Sequence, residues 1–175
     1  TVYPQSRVIR LIQDKGIQKQ FFKENNIPTA PFQVFGNRKE LISAKIPFPY
    51  IQKLRRDGYD GRGVKTIKSD SDLEKAFEEP SLIEELIDFD KELSVIVSRN
   101  EDGEIKTFPC VEMEFNAEAN LVEFLISPST LDFEILQKAD QLAIKIADDL
   151  KIVGILAVEL FLTKKGDILV NEIAP

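Results

Sequence analysis

The sequence predicts an α+β fold built as two lobes. Three observations carry that expectation: a strand, glycine-bearing loop, strand and helix follow one another between Tyr50 and Glu79; a further set of strands leads into one long amphipathic helix; and two strands around a turn close the chain. With 175 residues and 43% apolar content, the chain is long enough to bury one substantial core.

Taken in order, residues 14–25 read as a helix, with Asp14 as its N-cap and Ile17, Phe21 and Phe22 as an apolar stripe, ended by Asn26-Ile27-Pro28. Two proline-containing stretches follow, with a short helix expected around 39–44 between them. Strands are expected at 50–54, 64–67 and 82–87, with a helix at 70–79. These give a lead-in over 1–46 and a small lobe over 47–87. The larger lobe, 88–175, takes strands near 92–98, 105–113 and 121–125. In the long helix, Leu131, Ile135, Leu136, Ala139, Leu142, Ala143, Ile146, Ala147 and Leu150 recur at three- and four-residue spacing, as a core-facing stripe requires. Strands 155–162 and 168–173 flank the turn Lys164-Lys165-Gly166-Asp167.

Composition narrows the chemistry. There is no histidine, so serine–histidine and cysteine–histidine nucleophiles and histidine-ligated zinc are excluded. The single cysteine, Cys110, fits a reducing compartment, with the cytoplasm the expected location, and no stretch approaches the roughly 20 apolar residues of a membrane helix. A formal charge of −7 disfavours nucleic acid as a partner. Against that average, Lys53, Arg55, Arg56, Arg62, Lys65 and Lys68 gather within one short segment, which suits a small polyanion.

The closing hairpin is informative through geometry alone. If Lys165 and Gly166 are the central turn residues, Glu159 stands opposite Glu172 and both side chains share a face. Opposed like charges are destabilising without a cation, so the pair, with Asn171 beside it, is a candidate site for a hard cation such as Mg2+. The alternatives are a lysine or arginine partner for each glutamate, or a shifted register that sends one to solvent.

The loop from Arg55 to Gly63 carries three glycines, whose backbone amides can approach phosphates while the arginines supply charge. By itself it reads first as an ordinary charged hairpin, Asp60-Gly61 being a turn signal. Lys53 precedes this loop on a strand and is either solvated or aimed at a phosphate. Glu84-Glu85-Leu86-Ile87 connects the lobes, where an adenine finds backbone hydrogen bonds, and Glu92 can accept from a ribose hydroxyl.

The order of these features resembles the ATP-grasp fold, two α+β lobes with ATP held between them. Within it the chain resembles the carboxyaminoimidazole ribonucleotide synthetases at Val2-Tyr3-Pro4, at Asp14-Lys15 with Gln18-Lys19, at Gly58-Tyr59-Asp60-Gly61-Arg62-Gly63 and at Asn171-Glu172-Ile173-Ala174-Pro175. It departs from many relatives at Lys15, Val64 and Phe115, where arginine, glutamine and histidine are found. The resemblance implies that Lys15 and Lys53 contact ATP phosphates, that Lys53 and Arg62 are catalytic, and that Tyr59, Asp60, Gly61, Arg62 and Gly63 form a flap. Glu84, Glu85, Leu86 and Ile87 would hold adenine, Glu92 the ribose, and Glu159 and Glu172, helped by Asn171, Mg2+ or Mn2+. The implied reaction is ATP-dependent carboxylation of 5-aminoimidazole ribonucleotide with bicarbonate. The family's N-terminal and C-terminal domains are absent from this sequence, so the isolated chain is expected to be inactive, and a homodimer is expected of the full-length protein. The competing expectations are a ligase acting on another amine and a non-catalytic nucleotide-binding module.

Overall fold

The computed structural model describes residues 2–56, 58, 63–116 and 121–175. It opens with two helices, α1 (Ser6–Ile12), which the sequence reading passes over, and α2 (Lys15–Glu24). Asp14 caps α2: its carboxylate accepts from the amides of Gly16 (3.0 Å) and Ile17 (3.2 Å). Beyond its C-terminus Asn26 takes a left-handed φ of 53°, with Pro28 close behind. The buried face of α2 is not the expected stripe. Phe22 is fully buried, but Ile17 is 44% exposed, while Gln18 and Lys19 turn inward. Gln18 has backbone to satisfy there: it accepts from the amide of Ile173 (3.1 Å) and donates to the carbonyl of the same residue (3.2 Å).

The smaller sheet is antiparallel, in the order β1 (Phe32–Phe35), β4 (Ser81–Glu85), β2 (Tyr50–Leu54), β3 (Val64–Ile67). It therefore draws on residues upstream of Pro47, with β1 an addition to the expected strands. Helix α3 (Arg38–Ser43) and a single turn, α4 (Asp70–Leu73), accompany it, and Phe35, Leu41, Tyr50, Ile67, Ala76 and Ile83 form its core. The helix expected over 70–79 stops early because a distant residue takes its backbone. Gln52, fully buried on β2, accepts from the Phe77 amide (2.9 Å) and donates to the Phe77 carbonyl (3.3 Å).

The larger sheet runs β10 (Ile168–Ala174), β9 (Gly154–Thr163), β5 (Phe89–Arg99), β7 (Val111–Asn116), β8 (Leu121–Ile126), with β6 (Ile105–Thr107) also on β5. The single run expected over 105–113 is two strands, broken around Pro109, which has no amide to donate to a ladder. Helix α5 (Phe133–Leu150) crosses one face, burying Ala139, Ala143, Ile146, Ala147 and Leu150; Leu131 packs on the same core from outside the helix. The alanines let the helix approach the sheet, and complete burial of Ile146 and Leu150 contributes roughly 1.5–3 kcal/mol each. Buried and less buried residues alternate along β9, so Leu156, Val158 and Leu160 face α5 while Glu159 and Phe161 face the other way. The two sheets keep separate apolar clusters, and the contacts joining them across the cleft are largely polar. No helix among the described residues is long and apolar enough to cross a membrane.

Candidate functional site

Between the sheets lies a cleft of about 280 Å3, and most of the residues singled out from sequence line it: Lys15, Lys53, Glu84, Glu85, Leu86, Ile87, Glu92, Glu159, Asn171 and Glu172. On the small-sheet side Lys53, buried on β2, donates from Nζ to Asn171 Oδ1 (2.8 Å) and lies 3.0 Å from Glu84 Oε2. It is neither solvated nor closed off, since it also borders the cleft. Lys15 opens α2 and pairs with Glu172.

The glutamate pair on the large sheet stands as geometry predicts, Glu159 directly opposite Glu172, but it gets there by a different route. The turn is a three-residue loop, with Thr163 N donating to Asp167 O (2.9 Å), Gly166 N donating to Thr163 O (2.9 Å) and Gly166 at φ 83°. Strand pairing therefore starts one residue out of the expected register, at Ile168↔Leu162, and a bulge between Val170 and Glu172 restores it. Asn171 is the extra residue, and the bulge is what aims its amide at Lys53.

Carboxylate crowding shows in the acidities. Burial, followed by the Glu172 charge, raises the Glu159 carboxyl, against the pull of Lys15 and Lys53. Glu92, on the neighbouring strand, is pushed up to about 7 by burial and by Glu159, with Lys53 opposing. Two carboxyl groups with raised proton affinity, Glu159 and Glu92, on the wall that also carries Glu172, suit a divalent cation. Among the described residues no cluster of three or more His, Cys, Asp or Glu ligands forms, so Glu159 and Glu172 would need Asn171, water or ligand oxygens to complete a coordination shell, as Mg2+ commonly does.

Several parts differ from the sequence reading. The carboxylate of Glu84 is committed to lysines: burial alone would raise it, but the charges of Lys53 and Lys19 outweigh that and hold it below its ordinary value. Any adenine contact from Glu84 is left to its backbone. Arg55 and Arg56, expected to add charge to the loop, serve Asp14 instead, Arg55 in a two-pronged pairing at 2.9 and 2.7 Å and Arg56 at 3.3 Å. Gly16 makes room for this, since a Cβ there would lie 2.9 Å from Arg55 Nε. At the far end of the loop Gly63 has φ 83°, and a Cβ would meet Gly58 Cα at 2.8 Å. Tyr59, Asp60, Gly61 and Arg62 lie outside the described residues.

Sequence reasoning missed an aromatic wall. Phe89 and Phe161 stack at 4.6 Å and 14° and line the cleft next to Leu86 and Ile87, a surface suited to a planar base. The period-two rule could have found Phe161, two residues after Glu159 and therefore on the same face. Phe115, singled out only as a departure from relatives, lines the cleft too.

An ATP-grasp domain model matches residues 20–175. N5-carboxyaminoimidazole ribonucleotide synthase of Bacillus subtilis is 38% identical to the chain, over 97% of it, and the chain spans 46% of that protein. The solved N5-carboxyaminoimidazole ribonucleotide synthetase of Thermotoga maritima superposes with a TM-score of 0.86 at 36% identity, covering all of this chain and 45% of that one. The N5-carboxyaminoimidazole synthase of Aspergillus clavatus, solved in complex with ADP and 5-aminoimidazole ribonucleotide, gives a TM-score of 0.87 at 27% identity, covering 99% of this chain and 46% of that one. The chain thus spans about half the length of these proteins.

Proposed function

Because the chain belongs to the ATP-grasp domain family, we propose that it is the ATP-binding core of a cytoplasmic, homodimeric N5-carboxyaminoimidazole ribonucleotide synthetase of purine biosynthesis. One observation carries the reading: two lysines from separate elements and a directly opposed glutamate pair border the same cleft between two lobes. In this reading the adenine lies against Phe89 and Phe161 and meets the backbone of the 84–87 connector, while Glu92 accepts from the ribose. Lys15 and Lys53 neutralise the phosphates, and Arg62 and the rest of the 59–63 flap complete their enclosure. Glu159, Glu172 and Asn171 hold Mg2+, with Mn2+ a substitute, and the bound ion supplies charge neutralisation at the phosphate oxygens.

The reaction would start with a bicarbonate oxygen attacking the γ-phosphorus. The bond to the β-phosphate oxygen breaks, leaving ADP and carboxyphosphate, and the amine of 5-aminoimidazole ribonucleotide then takes the carboxyl group as phosphate departs. What these residues contribute is position and charge: Lys53, fixed between Glu84 and Asn171, presents its ammonium without having to be ordered first. Enclosure protects the acyl phosphate from water.

The test is product formation by the full-length protein with Mg·ATP, bicarbonate and 5-aminoimidazole ribonucleotide omitted in turn. The carboxylated product should require all three. ADP release that ignores the ribonucleotide would leave the nucleotide site standing and assign another amine as acceptor.

A further inference from the structure

Glu84 engages two ammonium groups, and only one of them reaches the cleft. Lys53 lies 3.0 Å from Oε2 and lines it. Lys19, on α2, lies 3.1 Å from Oε1, is 2% exposed and does not line it; its ammonium donates to Thr29 Oγ1 (2.6 Å) and the Val170 carbonyl (3.4 Å) and lies 6.0 Å from the centre of the Phe22 ring. Burying a lysine is costly, and here burial, partly offset by Glu84, draws its ammonium down to about 8. A helix that had only to pack could carry leucine or methionine at this position, so the charge calls for an explanation of its own.

Counting charges supplies one. Lys19, Lys53 and Glu84 together carry a net charge of +1, and of the two lysines only Lys53 lines the cleft. Without Lys19, Glu84 and Lys53 would form a closed neutral pair, and a polyphosphate would have to compete with a buried carboxylate for the lysine. We propose that Lys19 is a positioning residue that occupies one oxygen of Glu84 and thereby leaves Lys53 with charge available to the phosphates of a nucleotide. This rests on reading the cleft as the ATP site.

The experiment compares Mg·ATP and adenosine binding to the full-length protein by calorimetry for wild type, K19M, E84Q and K19M/E84Q, with folding checked by circular dichroism. The net charges of the triad in these proteins are +1, 0, +2 and +1. K19M should bind Mg·ATP about tenfold more weakly while its adenosine affinity moves less than twofold. The double variant, with the wild-type net charge, should regain the ATP-over-adenosine preference to within about threefold. A lysine that merely supports the fold predicts that the double variant is at least as impaired as K19M. That result, or a folded K19M with unchanged ATP affinity, would overturn the proposal. If K19M does not fold, the double variant against wild type decides alone: a tenfold loss of preference overturns the proposal and retention supports it. Failure of wild type to bind Mg·ATP at all would instead refute the nucleotide reading.

Discussion

Glu112 offers a quantitative test of how the large lobe is held together. Its side chain is 4% exposed on β7, where Oε1 accepts from Ser129 Oγ (2.8 Å), the Thr130 amide (2.9 Å) and Thr130 Oγ1 (3.3 Å), while Lys91 lies 2.6 Å from Oε2. The Lys91 bond comes first among the causes that hold its carboxyl at about 2, with burial opposing and the Thr130 and Ser129 bonds adding to the lowering. A folded value below the unfolded one means stability that is fully present above pH 4–5 and lost as pH falls toward 2. From the ordinary value of 4.5 the shift corresponds to about 3 kcal/mol, and allowing for the exposure of Lys91 reduces it to about 2. The substitution E112Q keeps the volume and one acceptor but removes the charge. Urea unfolding at pH 7 should show about 2 kcal/mol less stability than wild type, and the gap between the two proteins should close as pH is lowered through 4 to 2. A gap under about 0.5 kcal/mol at pH 7, or one that stays constant down to pH 3, would refute the reasoning.

Three further expectations concern the cleft. In the full-length protein E172Q should abolish ATP turnover and leave the thermal midpoint within a few degrees, because it removes cation-binding charge and little volume; near-normal turnover would sink the metal assignment. K53A should weaken Mg·ATP binding at least tenfold by calorimetry, and unchanged affinity would mean that this lysine serves only Glu84 and Asn171. G63A should destabilise the chain by about 1–3 kcal/mol in urea unfolding, since the residue is both left-handed and pressed against Gly58; a neutral result would show that the loop root relaxes freely.

What was legible in the sequence divides by the range of the forces involved. Strands β2 and β3 fall on their predicted limits because Pro49 and the glycine loop punctuate them locally. Helix α4 did not, because the group that stops it, Gln52, lies on a different element. Lys19 was invisible to hydrophobic periodicity, which assigns a lysine to solvent; its burial follows from a carboxylate that sequence places 65 positions away. The glutamate pair is the instructive case. The expected two-residue turn is a three-residue loop, and the unexpected bulge at Asn171 offsets it, so the facing of Glu159 and Glu172 came out right through two compensating departures. Local turn chemistry and the demand that both carboxylates face the cleft are separate constraints, and only the first can be read from neighbours in the chain.

The separation of the two apolar clusters bears on how well the cleft keeps its shape. Oily surfaces adhere almost equally well at many offsets and tolerate sliding. Asp14 with Arg55, Lys19 with Glu84 and Lys53 with Asn171 instead fasten one lobe to the other through contacts that demand particular distances and angles. Such a joint has one register. The lysine on one wall and the glutamates on the other are thus indexed to each other by the fastening itself, and the spacing a ligand would meet is already set before it arrives.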